Sequence, residues 1–394
     1  MYRIFRKRGL RIIEKIGIFY LFLSLATSIV YTIWAVYLES FFHNASSVGL
    51  LTSLFTVLGV FSYFLFIPLV QRKSKTGLLF ISLLFFTISY FIFSIYSNVY
   101  LVIVLGAILT IFGSLRITTF GILVRDKTSD KNVSKNEGRI YTLLNLAWLV
   151  GPLIAGFVAN KYGFDNVFFL GFLLVLISMM LFRFFKIKDD RKTRKVDSNV
   201  FKLIFSFFSK KDRVLIYILS GAVTFWWALI YIYIPIYLIE QGYGTFLIGL
   251  FLSVVVVPLI LFEYSFGKIA GKRGFKKLFF TGFIILSFIS VLCFFISNIY
   301  ILLFLLILAS VGVSMIESTS EAYFFDIINK EQRDKYYGVY NTAVDLGFLL
   351  GTLPAALLLL FFSFKSVFVL FSFFTLLFAL ISLRMKEVYE SGHK

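Results

Sequence analysis

The sequence is nearly without cysteine and histidine. A single Cys, Cys293, leaves no internal disulfide framework, and the two His, His43 and His393, are too few for a histidine-built metal cluster. Charge is scarce as well, at 15% of residues, and uneven in sign, with 39 Lys and Arg against 20 Asp and Glu. No Gly-x-x-x-x-Gly-Lys-Ser/Thr loop occurs, so nothing in the chain supports nucleotide-driven pumping. The absence of HExxH, of a cysteine cluster and of a Ser/His/Asp set removes the usual machinery of a membrane enzyme. We therefore expect no catalytic activity, no metal and no cofactor.

What is present is apolar. Hydrophobic residues make up 60% of the chain and aromatic ones 20%, with 52 Phe and 22 Tyr, and the mean hydropathy is +0.92. The apolar runs are about 20 residues long, the length a helix needs to cross the hydrocarbon. The basic N-terminus MYRIFRKRGLRIIEK leads at once into the run Ile16 to Leu38, too long for a signal-peptide core and without a cleavage site after it; it reads as a retained first span. Further spans are predicted near 48–70, 78–96, 99–124, 140–160, 165–185, 213–239, 246–267, 275–297, 299–327, 338–362 and 365–385, twelve in all. The fold class is all-α integral membrane.

Displacing the sequence by 200 residues aligns it with itself. Ser97-Asn98-Val99-Tyr100 meets Ser297-Asn298-Ile299-Tyr300, Asp126 meets Asp326, Gly151 meets Gly351, and FDNVFFL from Phe164 meets FKSVFVL from Phe364. The chain is thus expected to be two pseudo-symmetric six-helix bundles, residues 1–185 and 213–394, joined by a basic linker at 186–212.

The cations alternate with the spans. One side receives the N-terminal cluster, Arg72/Lys73/Lys75, Arg125 to Arg139, the linker, Lys268 to Lys277, Lys330 to Lys335 and Arg384/Lys386; the other receives Lys161 and Lys365. By the positive-inside bias both termini are cytoplasmic, in a multi-pass protein of the plasma or inner membrane. The net charge of +19 then reads as a topology signal matched to acidic lipid, not as a nucleic-acid surface. Asn44-Ala45-Ser46 has the form of a glycosylation triplet on the outer side.

Two motifs add detail. The loop Gly267-Lys-Ile-Ala-Gly271-Lys272-Arg273-Gly274-Phe-Lys276-Lys277 resembles the Gly-x-φ-Ala-Asp-Arg-x-Gly-Arg-Arg signature of the major facilitator superfamily, with Gly271 where Asp is usual. Its first-half counterpart, Pro68 to Gly77, keeps little beyond the basic residues. Ala147-x-x-x-Gly151-Pro152-x-x-x-Gly156 in span five is similar to that family's antiporter-associated motif, with two small positions altered or shifted. The resemblance implies a transporter whose spans one, four, seven and ten line a central cavity, working as a monomer by alternating access. On physical grounds alone, a glycine every fourth residue clears a helix face for close approach, either as ordinary packing or as a sliding contact in gating.

Ionisable residues inside spans cost roughly 2.5–3.5 kcal/mol each on insertion scales, so they should face partners or water. Arg116 in span four and Glu317 in span ten lie at similar depth by the repeat, and Glu321 is one turn from Glu317. Two carboxylates a turn apart in a low dielectric repel, which suits them to proton exchange; a static Arg-Glu pair is the structural alternative. Tyr31, Trp34, Tyr37, Trp226, Trp227, Tyr231 and Tyr233 on spans one and seven offer a wall for an organic solute, or serve as packing. Pro235 should loosen span seven. Asp126 and Asp326 read as cytoplasmic gate residues or as solvated helix ends, and Glu263 and Asp345 as members of the same latch or as snorkelling charges. The expected function is proton-coupled export of a small organic solute. The alternatives are uptake of a sugar or organic anion, with Arg116 on the anion, and a non-transporting structural or signalling protein.

Overall fold

The computed structural model describes residues 12–127, 133–188, 200–328 and 332–387, and every regular element among them is helical. In order these are α1 (Ile12–Phe42), α2 (Ala45–Arg72), α3 (Lys75–Phe93), α4 (Val99–Asp126), α5 (Val133–Tyr162), α6 (Phe164–Phe184) and α7 (Val200–Phe208). There follow α8 (Lys211–Ala228), a π-helical turn (Leu229–Tyr233), α9 (Ile234–Glu240), α10 (Thr245–Val254), α11 (Val257–Arg273), α12 (Phe275–Phe295), α13 (Ile299–Ile327), α14 (Arg333–Leu358) and α15 (Ser366–Ser382). Eleven stretches among the described residues are long and apolar enough to cross a membrane, with α8 to α9 counting as one and α10 to α11 as another. The twelfth expected span corresponds to α15. Its 17 residues reach about 26 Å at 1.5 Å each, short of a hydrocarbon layer of about 30 Å.

The repeat is visible in local chemistry. Asn298 caps α13 by accepting from the Tyr300 and Ile301 amides at 3.0 and 3.2 Å, and Asn98 accepts from the Tyr100 amide at 2.8 Å at the start of α4. The matched tetrapeptides are matched helix starts. Asn44 caps α2, and Ser46 donates to the Ala356 carbonyl at 2.7 Å from a buried position. The triplet Asn44 to Ser46 is therefore built into a helix start and a helix contact.

The linker differs from expectation, since its polar stretch contains a helix, α7. Within the first repeat unit α1 packs on α5 and α6, and α3 packs on α4 and α6. Within the second, α8 packs on α14 and α13, and α12 on α15 and α13. Between the units the main crossings are α5 on α10 and α2 on α14, with smaller ones from α1 to the π-turn, α9 and α10. Yet α8 and α11, the other segments of those same two spans, have no comparable packing on α1 to α6. Among the described residues the crossings between the units therefore gather toward the end that carries Lys161 and Lys365.

Candidate functional site

Glycine sets the closed end. Gly156 and Gly249 bring α5 against α10: a Cβ on Gly156 would lie 2.6 Å from the Thr245 carbonyl oxygen and 2.8 Å from Gly249 Cα. Gly49 faces the Tyr233 hydroxyl, and a Cβ there would lie 2.8 Å from Ala356 Cβ. Hydroxyls tie the same surfaces, Thr245 donating to the Gly156 carbonyl at 3.2 Å, Ser53 to Thr352 at 2.9 Å, and Tyr233 to the Thr352 carbonyl. Gly151 faces Ser28 of α1, and Gly351 faces Phe225 and Ala228 of α8, so the repeat-matched glycines pack within their own units. Pro152 is buried beside Gly151.

Span seven changes its winding just below these contacts. Pro235 has no N–H and its ring displaces the carbonyl four residues back. The preceding turn widens to accommodate this, and the Ile234 amide reaches the Leu229 carbonyl, five residues away. Tyr231 sits in that turn, buried against Tyr31 (ring centroids 5.3 Å), Trp148 (5.5 Å) and Trp227 (5.6 Å), with Tyr31 and Trp148 themselves 5.7 Å apart. Tyr31 comes from α1 and Trp148 from α5, so the four rings join both units. At the edge of the group the Trp227 indole donates to a Glu317 carboxylate oxygen at 3.2 Å, and Glu317 is exposed despite lying in the middle of α13.

Around this centre the sequence-predicted residues divide. Tyr31, Trp227, Tyr231 and Glu317 come together, and Trp148 joins them without having been singled out from the sequence. Trp34 lies elsewhere, against Phe93 (5.8 Å) and Tyr37 (6.3 Å). Arg116 is not ion-paired to Glu317 or Glu321; its guanidinium lies 4.8 Å from the Phe86 ring centroid of α3, and its Nε is buried with no hydrogen-bond partner among the described residues. The repeat explains this placement. Arg116 matches Ile316, which is fully buried against Gly282 of α12, and Glu317 is one residue further, hence about 100° around the helix. Equal depth did not mean an equal facing.

Glu321 accepts from the Tyr337 hydroxyl of α14 at 2.6 Å, a bond that occupies it between α13 and α14. Glu263 on α11 and Asp345 on α14 are both half-buried. Asp326 lies exposed in the last turn of α13; the side chain of Asp126 is outside the described residues. In the loop motif, Gly274 ends α11 at φ +86°, a conformation that favours glycine. Gly271 is buried, Arg273 is exposed, and Gly267 has open space where a Cβ would stand.

The helical array thus holds an exposed carboxylate midway along α13 and is closed by glycine crossings at one end. The family model of the Major Facilitator Superfamily matches residues 16–273 and 245–394. The chain belongs to the major facilitator superfamily. Its similarity to an uncharacterized MFS-type transporter, MJ1560, of Methanocaldococcus jannaschii is 25% identity over 223 residues, covering 54% of this chain and 56% of that one, so the match spans about half of the relative. The multidrug resistance protein MdtG of Proteus mirabilis is 23% identical over 330 residues, covering 80% and 81%. Among solved structures, a POT family transporter in complex with a thioalcohol conjugated peptide superposes with a TM-score of 0.81 at 12% identity over 94% of this chain and 95% of that one. The nucleoside transporter NupG gives 0.76 at 11% identity over 96% and 100%. At these identities the likeness is one of fold, which the superfamily chain shares across nearly its whole length.

Proposed function

We propose that this superfamily member is a secondary transporter that exports a small organic solute in exchange for protons, with solute and proton both handled at Glu317 and its four-ring neighbourhood. One observation carries the reading: the Glu317 carboxylate, exposed in the middle of a span, is held by Trp227, whose ring runs through Tyr231 to Tyr31 and Trp148 of the other repeat unit. A carboxylate so connected feels any relative movement of the units, as coupled transport requires. A cationic or amphipathic solute would find a charge partner beside aromatic faces there. The multidrug name of the relative MdtG agrees with export of an organic solute.

In this reading the units 1–185 and 213–394 rock about the site as two bundles, joined by 186–212, and the proton gradient supplies the energy without a cofactor. The protein acts as a monomer in the plasma or inner membrane. With the basic loops cytoplasmic, the glycine crossings form the outer gate.

The test is reconstitution in vesicles with an imposed pH gradient and a panel of organic cations, anions and sugars. Solute moving against the proton flow, lost in Glu317→Gln and kept in Glu321→Gln, is the expected result; movement with the proton flow would replace export by uptake. The unpartnered Nε of Arg116 favours a second reading, uptake of an organic anion. Under it Arg116→Gln abolishes transport while Glu317→Gln leaves anion binding intact.

A further inference from the structure

Helix α7 takes no part in the transport reading, yet it is firmly built in. Phe207 is fully buried, its ring 5.7 Å from Tyr336 of α14 and 6.0 Å from Tyr217 of α8, and Phe208 lies 5.0 Å from Tyr217. The Ser206 and Tyr336 hydroxyls share a hydrogen bond of 2.8 Å. Arg213, itself buried, stacks 4.1 Å from the Tyr336 ring centroid and donates to the Ser206 carbonyl at 3.0 Å and to Gln332 at 3.3 Å. A helix of nine residues is marginal alone in water; these contacts fix it to the starts of two spans.

The outer face of α7 is unusual. At 100° per residue, Phe205 and Lys202 point away from Phe207, and Phe205 is 75% exposed, with Phe208 exposed at the side. Tyr336 opens the span Tyr336–Leu358, and Tyr217 lies in the second turn of the span Lys211–Glu240. The outward phenyl ring is therefore held at the depth where spans enter the bilayer, with Lys210 and Lys211 exposed directly after it. Apolar rings at interface depth flanked by lysines match the chemistry of a helix lying in a headgroup layer. We propose that α7 is a membrane-surface helix that seats Phe205 and Phe208 among acidic phospholipid headgroups, with Lys210 and Lys211 supplying the charge preference. Each lysine near an acidic surface strengthens such seating about fivefold, equivalent to ~1 kcal/mol.

The test needs no transport assay. Full-length protein carrying Phe205→Cys is labelled with an environment-sensitive dye; the native Cys293 is buried. It is placed in phosphatidylcholine vesicles and in phosphatidylcholine–phosphatidylglycerol vesicles, each with and without a nitroxide-bearing lipid. The expected result is blue-shifted emission quenched by the nitroxide, stronger with phosphatidylglycerol and reduced several-fold by Lys210→Gln with Lys211→Gln. Water-like emission without quenching in the acidic vesicles overturns the proposal. Equal quenching in both lipids, unmoved by the lysine changes, overturns the preference for acidic lipid. Should Phe205→Cys shift the unfolding temperature, the same label at Phe208→Cys gives the same two outcomes.

Discussion

Replacing Gly156 by Ala adds one methyl group where two helix backbones touch. Its Cβ would stand 2.8 Å from Gly249 Cα and 2.6 Å from the Thr245 carbonyl oxygen, against an optimal separation of about 3.5 Å. The shortfall against Gly249 is thus about 0.7 Å (3.5 − 2.8), and both neighbours are backbone, which cannot swing aside as a side chain would. Overpacking of this kind costs about 1–3 kcal/mol. Because the crossing joins the two repeat units, the strain vanishes when they part at that end, so the cost falls on one conformer only and shifts the equilibrium about 5- to 150-fold toward an opened outer gate. Spin labels at Tyr162→Cys and Gln241→Cys, both exposed near that end, would report the shift as a longer interlabel distance by pulsed electron resonance. Gly221→Ala is the control: its Cβ would lie 2.8 Å from the Ala343 carbonyl oxygen, but that crossing of α8 with α14 lies inside one unit and should cost stability without moving the distances. An unchanged distance distribution in Gly156→Ala, or the same change in both variants, would refute the assignment of the α5–α10 crossing to a gate.

Other perturbations probe the remaining contacts. Tyr233→Phe removes the hydroxyl that donates to the Thr352 carbonyl, a bond inside the second unit; a loss of ~1 kcal/mol should lower the melting temperature and leave the same spin-label distances unchanged. Trp227→Phe keeps an aromatic ring beside Tyr231 but removes the donor to Glu317, so solute flux should fall about tenfold, the equivalent of ~1.4 kcal/mol, with stability little changed. Wild-type flux in that variant would mean that the indole does not position the carboxylate. Arg213→Lys keeps the charge but loses the planar stack and the fork that reaches Ser206 and Gln332. We expect protease cleavage near α7 to become faster, and an unchanged digestion rate would show that Phe207, Phe208 and Ser206 hold the helix without the guanidinium.

Much of this fold was legible in the sequence because its rules are one-dimensional. Hydrocarbon thickness sets the length of an apolar run, cation placement follows loop by loop, and a duplicated Asn98/Asn298 cap starts the same helix in each unit. Facing was harder to read. Arg116 and Glu317 occupy nearly matched positions, yet a single residue turns the side chain by about 100°, and that rotation sends the guanidinium toward Phe86 and the carboxylate toward Trp227. Trp148 lies on span five, outside the aromatic wall of spans one and seven, yet its position three residues before Gly151 places it on the side of α5 that meets α1. Helix α7 carries no span signal in the sequence, because its nine residues are far shorter than the hydrocarbon is thick and strongly basic stretches flank it.

The two broken spans say something that neither unbroken span can. Span seven divides at the π-turn before Pro235, and span eight divides at Val255 and Val256 before Pro258, where α11 begins. In both, the segment beyond the break on the lysine-poor side packs against the first repeat unit and the segment on the basic side does not. The breaks therefore lie at the level where contact between the units ceases, and Tyr231 stands at that level. A straight, fully hydrogen-bonded helix would carry movement from one end to the other as a rod. A helix whose ladder is already interrupted by proline can bend there at little added cost. In the proposed cycle, opening that end needs α9 and α10 to leave α1 and α5 and α14 to leave α2, while α8 and α11 keep their packing on α13. In the transport cycle we propose, the ring contacts of Tyr231 with Tyr31 and Trp148 would be the first to change, and Glu317 would sense that change through Trp227.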